Sequence, residues 1–515
     1  MRLPLLALPL VALGCASREP DGPTRGVEVP APSSSTAAPA MPPGAGHAAP
    51  AAASSAPRAK PAPTEPRVWA KTRFVWIHPE PNGIGWIGFL WFGGSVKLRE
   101  PEPRNGPGCS KWYAIEPRGF VCVDGVRATL DPNDPELRAV LPHAPDIASP
   151  WPHRYAESRG AFRYAEIPKR TEQRLREWDL EEHLRRVEAA KRGEPRHESL
   201  LGVDLTPATS SSFTLGKLPA TVHEPRKRLT PLSTVAFSAE ASGEDRAWLL
   251  SADLLWVPKD RVVPYKKVTF EGVHLGKDAK LPLAFFRQKD RGKFKEQNGR
   301  LLEVAERFER LSFVELTGSE RTQDGAVYLE TRQPGVWVKK ADAVVPTPQA
   351  KTPWGAPVNG EDTQQGPAGR RTWIESSVWQ GWMLAYEGTR PVFATLIAPG
   401  RGGTPQRGVD PIATASTPVG VFPITGKFAT ATMVAPGELI HSDVPWAQNF
   451  HGPHALHGAY WHDDWGERKS GGCVNVSPID GKWLFEFTEP PIPEGWHGVR
   501  WRPNQEPATT FIVHD

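Results

Sequence analysis

Short apolar runs that alternate with polar residues, each stopped by proline, glycine or asparagine, constrain this chain more than any other feature. Val68 to Ile77, Gly85 to Phe92 and Trp112 to Val123 read as strands separated by turns. The segment from Lys169 to Lys191 departs from that pattern. Leu175, Trp178, Leu180, Leu184 and Val187 recur there at roughly helical spacing amid dense opposite charges, with Pro168 near the start and Gly193 past the end. The charge run reads as a solvated helix face with i,i+4 pairs. The expected fold class is therefore mainly β and multidomain, with one charged helix over 169–191.

A chain of 515 residues with 39% apolar content can bury several cores. The net charge of +4 is small for that length and argues against nucleic acid as a partner. Arg2, the apolar run Leu3 to Leu13 and then Gly14-Cys15 read as an export signal over 1–14, too short to anchor as a membrane span. Residues 15–66 are rich in Pro, Ala and Ser and lack the apolar bulk to offset ordering entropy, so an extended tether is expected.

The four cysteines sort themselves by context. Cys109 and Cys122 flank a hairpin-like segment and are expected to be bridged, since export implies an oxidising compartment. Closing a loop of that size stabilises by about 3 kcal/mol in the chain-entropy model. Cys15 ends the export signal. Cys473 is left over, and it follows Ser470-Gly471-Gly472 rather than sitting in an apolar run. An unpaired thiol in an exported protein is a liability unless buried or used.

The chemistry concentrates between 371 and 515, after a Pro-, Gly- and Gln-rich linker over 346–370. Residues 373–375, 383–386 and 392–397 are strand-like, and Ala455-Leu456-His457 is a short apolar strand that delivers a histidine. Ser477 as N-cap, Pro478 at the first helical position and Asp480 three residues after the cap mark a sharp helix start just beyond the cysteine. A thiol attacks only as thiolate, so His457 is the candidate base for Cys473. Glycines before the sulfur let the backbone turn tightly and aim N–H groups at an oxyanion.

Thr417-Pro418-x-Gly420, then His457-Gly458, then Ser470-x-Gly472-Cys473-x-Asn475 resembles the catalytic domain of the L,D-transpeptidases (the YkuD-type family) over the C-terminal quarter of the chain. Gly471 stands where many members carry histidine. The resemblance implies Cys473 as nucleophile, His457 as base, the Gly458 carbonyl orienting its ring and the Gly472–Cys473 turn holding the oxyanion. An adjacent imidazolium would lower the thiol's pKa. Asn475, Ser470 and Tyr460 are the expected substrate contacts. Ala12-Leu13-Gly14-Cys15 resembles a bacterial lipobox, which implies lipidation at Cys15, and Ala16 favours the outer membrane where there are two. Residues 67–130 are expected to form a small SH3-like β-domain with a core of its own, separate from the catalytic one. Region 131–345 is expected to hold further SH3-like modules, because Ala247–Leu254 echoes Val336–Ala343.

These features imply a lipid-anchored envelope enzyme acting on peptidoglycan stem peptides, forming 3–3 cross-links through an acyl-enzyme, without metal or other cofactor, and open to acylation by carbapenems. A cysteine hydrolase of stem peptides or wall-linked protein, and a non-catalytic wall-binding protein, are the alternatives. His441, His451, His454, His457 and His462 with Asp463 and Asp464 are of ligand type, yet their spacing on strand and loop does not put them on one face for a metal.

Overall fold

The longest sheet draws its strands from both ends of the chain. In the computed structural model, which describes residues 65–208, 228–361, 371–435 and 439–515, seven strands run in the order Val75–Ile77, Gly88–Leu90, Gly498–Arg500, Gly426–Ala435, Leu439–His451, His454–Gly458 and Val474–Val476. The expected export signal (1–14), the lipidated Cys15 and the tether as far as residue 64 lie outside the described residues. A second sheet of six strands contains Thr372–Ser377, Trp382–Glu387 and Arg390–Leu396, with Thr510–His514 parallel to the first of these. Ile374, Met383 and Phe393 from this sheet meet Leu456, Val474 and Val476 from the longest sheet in one core. Leu484 and Phe487 of the helix Pro478–Phe487 close it.

The first β region is not a separate domain. Two of its strands complete the longest sheet, and Phe89, Trp91 and Phe92 share a buried cluster with Phe428, Val444, Ala455 and Cys473. The expectation of two separate cores is thereby overturned: alternating apolar residues in short strands define a face to bury without naming the sheet that will bury it. The rest of the region forms two three-stranded sheets, one of which carries the Cys109–Cys122 disulfide with Cα atoms 6.0 Å apart. Arg73 reaches out of this region to Asp443 on the strand Leu439–His451 (3.0 Å) and to Asp253, which also accepts from Arg163 (2.8 Å). This buried quartet ties three segments together, and truncating one member strands the others without a counter-charge.

Region 131–345 contains a five-stranded sheet in the order Trp256–Pro258, Arg246–Ser251, Thr234–Gly243, Arg154–Ser158, Val262–Pro264, and a second sheet of six strands running from Leu283–Phe285 to Arg300–Phe308. Both are open sheets; no closed barrel occurs among the described residues. The internal echo is real but displaced by one strand. A strand followed by a 3₁₀ turn occurs at Trp256–Pro258 with Lys259–Arg261, and again at Val336–Lys339 with Lys340–Asp342.

The single helix expected over 169–191 is two helices, Arg170–Arg176 and Leu180–Lys191. The break has an electrostatic cause. Glu177 turns inward to accept from Arg246 (2.9 Å), Arg261 (3.2 Å) and the Tyr164 hydroxyl (3.0 Å). Leu175 and Trp178, expected on the buried stripe, are 87% and 89% exposed instead. Within the expected linker, residues 346–361 pack through Trp354 and Val358 against a buried cluster that includes Trp373, Trp382 and Trp465. Residues 362–370 lie outside the described residues.

Candidate active site

The strand His454–Gly458 runs parallel to Val474–Val476, with His457 level with Asn475. Side chains two apart on a strand share a face, so Cys473 and Asn475 stand on the side that His457 occupies on its neighbour. The Ala455 N–H, two residues before His457, lies 3.5 Å from the Cys473 sulfur. Ser477 caps the helix that follows by accepting from the Asp480 N–H at 3.1 Å, which fixes the exit of the cysteine strand. On the other side, Ala398 and Asn475 exchange backbone hydrogen bonds of 2.8 and 3.0 Å, and the Gly400 N–H donates to the Thr417 hydroxyl.

Gly472 is demanded by two independent facts. Its φ is +126°, and a Cβ there would stand 2.9 Å from the Ser416 carbonyl and 3.0 Å from the His454 ring. Its N–H donates to Ser470 Oγ at 3.1 Å, while that hydroxyl donates to the Cys473 carbonyl at 2.5 Å. Ser470 therefore shapes the turn from inside, and the Gly472 N–H is not the donor that receives an oxyanion. The role of His454 as a wall behind Gly472 left no trace in the sequence.

A carbonyl can only accept, so the 3.2 Å contact from His457 Nδ1 to the Gly458 oxygen places the ring proton on Nδ1. Nε2 then carries the lone pair, and it has no hydrogen-bond partner among the described residues. Burial pushes the His457 pKa down to about 4, against the opposing pull of the Gly458 carbonyl. The ring is thus neutral at neutral pH. Cys473 is fully buried, and in this structure its sulfur is disulfide-bonded rather than the leftover thiol expected. Any attack by this sulfur requires its reduced form. Trp461 stacks on His441 with centroids 4.4 Å apart and lies 5.8 Å from His457, packing against the cluster that holds Cys473.

The model of the L,D-transpeptidase catalytic domain (YkuD family) matches residues 372–499. Residues 372–499 are an L,D-transpeptidase catalytic domain. Among solved structures, the chain is similar to the L,D-transpeptidase (residues 123–326) of Xylanimonas cellulosilytica at 21% identity, covering 29% of this chain and 63% of that one, with a TM-score of 0.20. It is also similar to the catalytic domain of the E. faecium L,D-transpeptidase (22% identity, 28% of this chain, 98% of that one, TM-score 0.20). A third is the L,D-transpeptidase LdtMt1 in complex with imipenem (13% identity, 44% of this chain, 78% of that one, TM-score 0.21). The chain spans 63% of the length of the first of these. No curated protein matches the chain.

Within the L,D-transpeptidase domain, His462 takes a place that the sequence did not assign to it. The Asp464 N–H donates to its Nδ1 at 3.2 Å, so Nε2 bears the proton. Nε2 lies 3.1 Å from the Asn475 side-chain amide, whose other end has no partner among the described residues. A ring N–H there requires the amide oxygen to face the imidazole, which turns the amide NH2 to the unpartnered side. Burial holds the His462 pKa down to about 4, so the ring stays neutral. Removing that partner from a buried amide costs about 1–3 kcal/mol. His462→Phe should therefore slow acylation of Cys473 roughly tenfold, and an unchanged rate by intact-mass kinetics would end this assignment.

Tyr460, expected at the substrate, is buried in a cluster with Tyr155, Ala236 and Ala252, whereas Cys473 belongs to another. Its hydroxyl donates to the Ser442 carbonyl (2.7 Å), meets the Thr234 hydroxyl (2.6 Å), and its ring stacks on Tyr155 at 3.7 Å. Asp463 pairs with Arg310 (2.9 Å) and Asp464 with Lys469 (3.2 Å). No grouping of three or more His, Cys, Asp or Glu among the described residues is arranged to hold a metal ion.

Burial also sets how stability depends on pH. Desolvation lowers the pKa of His153, His457 and His462 to about 4 and of His441 and His497 to about 3. An unfolded histidine binds its proton near pH 6.5 and these do not, so stability is full above 6.5 and falls as pH drops toward 4. Each costs up to about 2 kcal/mol at pH 5. Asp480, which desolvation raises to about 7, works in the opposite direction, but as one group against five. Melting curves should show Tm about 10 °C or more lower at pH 5 than at pH 7; a flat profile would contradict the burial of these rings.

Proposed function

We propose that the chain is a peptidoglycan L,D-transpeptidase that forms 3–3 cross-links through a Cys473 acyl-enzyme. The observation that carries the reading is the neutral His457, proton fixed on Nδ1 by Gly458 and Nε2 open, on the strand beside the cysteine. In the first step the reduced Cys473 sulfur attacks the carbonyl of the third stem residue while Nε2 takes the thiol proton. The tetrahedral oxygen sits at the Gly471–Cys473 turn. The protonated His457 then hands its proton to the departing D-alanine amine, leaving a thioester. In the second step the side-chain amine of a diaminopimelate on a neighbouring stem attacks the thioester, and Nε2 accepts its proton. The new amide forms as the carbon–sulfur bond breaks, and the proton returns to sulfur.

Cys473 and His457 are both fully buried, so the stem peptide reaches them only after the surrounding residues open. Lipidation would occupy the Cys15 sulfur as a thioether, which is compatible with a reduced Cys473, and would tether the enzyme to a membrane of the cell envelope, with the folded part reaching the wall. The experiment is a mass spectrum of muropeptides after incubation with the reduced full chain. Cross-linked dimers that disappear in Cys473→Ala support transfer. Trimmed stems without dimers, in the presence of acceptor, would make it a hydrolase.

A further inference from the structure

We propose that a cavity beside the catalytic loop binds a small carboxylate-bearing ligand with a sugar-ring face. The cavity has a volume of about 290 Å³, the scale of a monosaccharide, and is lined by Trp151, Tyr155, Tyr265, Tyr460, Lys266 and Lys267 among others. It lies on the five-stranded sheet, and Tyr460, one of its walls, comes from the loop that leaves the His457 strand.

The walls are fixed in advance. The Tyr155 hydroxyl donates to the Asp443 carbonyl at 3.0 Å, and its ring is held against Tyr460, itself bonded to Ser442 and Thr234. Against this fixed pair, the half-buried Trp151 and Tyr265 rings offer their faces to the C–H side of a ring. The charges are unequal. Of the other lining ions, Lys259 pairs with Asp204 (2.9 Å) and Glu240 (3.1 Å), and Arg154 pairs with Glu240 (2.9 Å). Lys266 and Lys267 are exposed at the rim and have no carboxylate partner among the described residues. The Lys267 ammonium lies 5.2 Å from the Trp151 ring centre. Two unneutralised ammonium groups above an aromatic wall suit a single carboxylate attached to a ring. Buried His153, also on the wall, has a ring nitrogen with no partner among the described residues and offers a hydrogen bond.

The wall polymer as the source of this ligand rests on the transpeptidase reading; the site itself does not. The probe is N-acetylmuramic acid, a sugar with a carboxylate, titrated into the full chain by calorimetry or saturation-transfer NMR. N-acetylglucosamine serves as the carboxylate-free ring and alanyl-glutamate as the acidic peptide. Millimolar or tighter binding of N-acetylmuramic acid is expected, with N-acetylglucosamine at least tenfold weaker. The double variant Lys266→Glu/Lys267→Glu should bind at least tenfold more weakly with unchanged Tm and unchanged imipenem acylation. Competitive binding by alanyl-glutamate would support the site and assign it to a peptide end. Equal binding of both sugars, binding indifferent to the two lysines, or no saturation by either acid up to about 10 mM would overturn the proposal. Imipenem acylation run in parallel separates the two readings: absent binding with intact acylation sinks only the cavity, and intact binding with absent acylation sinks only the catalytic proposal.

Discussion

Reduced full-length chain incubated with imipenem should gain the mass of one drug molecule, on Cys473, and Cys473→Ala should gain none. The strained lactam carbonyl stands in for the scissile amide, and ring opening leaves a thioester with no leaving group to diffuse away. His457→Ala should slow the reaction by about two to four orders of magnitude, the usual loss for a positioned base. Its ring is buried, neutral and oriented, so no other group takes its place. Gly472→Val should cost a comparable factor by another route. At φ +126° a β-branched residue is strained, and its Cβ would press on the Ser416 carbonyl and the His454 ring. The oxidised protein should not react until reductant is added, because the sulfur is then already bonded. An adduct that persists in Cys473→Ala, or a rate indifferent to His457, would refute the dyad.

Removing residues 65–130 should abolish cooperative folding of the remainder, including the L,D-transpeptidase domain more than two hundred positions downstream. The strand Gly88–Leu90 pairs with Gly498–Arg500, and Phe89 stacks against Phe428 with centroids 5.8 Å apart and against His497 at 5.7 Å. Deleting this region uncovers the edge of Gly498–Arg500 and the aromatic face beside it, with a loss of about 25 cal/mol per Å² of apolar surface. It also removes Arg73 from Asp443 and Asp253, leaving buried carboxylates short of a counter-charge at a cost of about 3–5 kcal/mol. Circular dichroism melts and dye binding would decide the matter: a sharp transition and imipenem acylation in the truncated chain would show the domain to be autonomous.

The catalytic segment was legible because its signals are local. Ser477-Pro478 with Asp480 sets a helix start by hydrogen bonds within four residues, and Gly472 declares a backbone conformation that few other residues adopt. Sheet membership was not legible, since pairing Phe89 with Gly498 depends on contacts between distant segments that no periodicity encodes. The helix break at Glu177 was hidden for a related reason. Leu175 and Trp178 fit a helical stripe, but the cations that draw Glu177 inward, Arg246 and Arg261, lie far along the sequence. His462 was legible as a residue type but not as a role, which depends on Asp464 and Asn475 fixing its tautomer from two sides.

The pairing of Gly88–Leu90 with Gly498–Arg500 also has a consequence in time. A sheet that joins strands from opposite ends of a chain cannot close until the last of them has left the ribosome and crossed whatever barrier the chain crosses. Loop-closure entropy over that separation falls on the folding step, so folding is slow, and the aromatic face around Phe89 waits unpaired in the meantime. Catalytic competence therefore arrives late in the life of each molecule. Folding yield, more than activity per folded molecule, should be the property most sensitive to substitutions in the first β region.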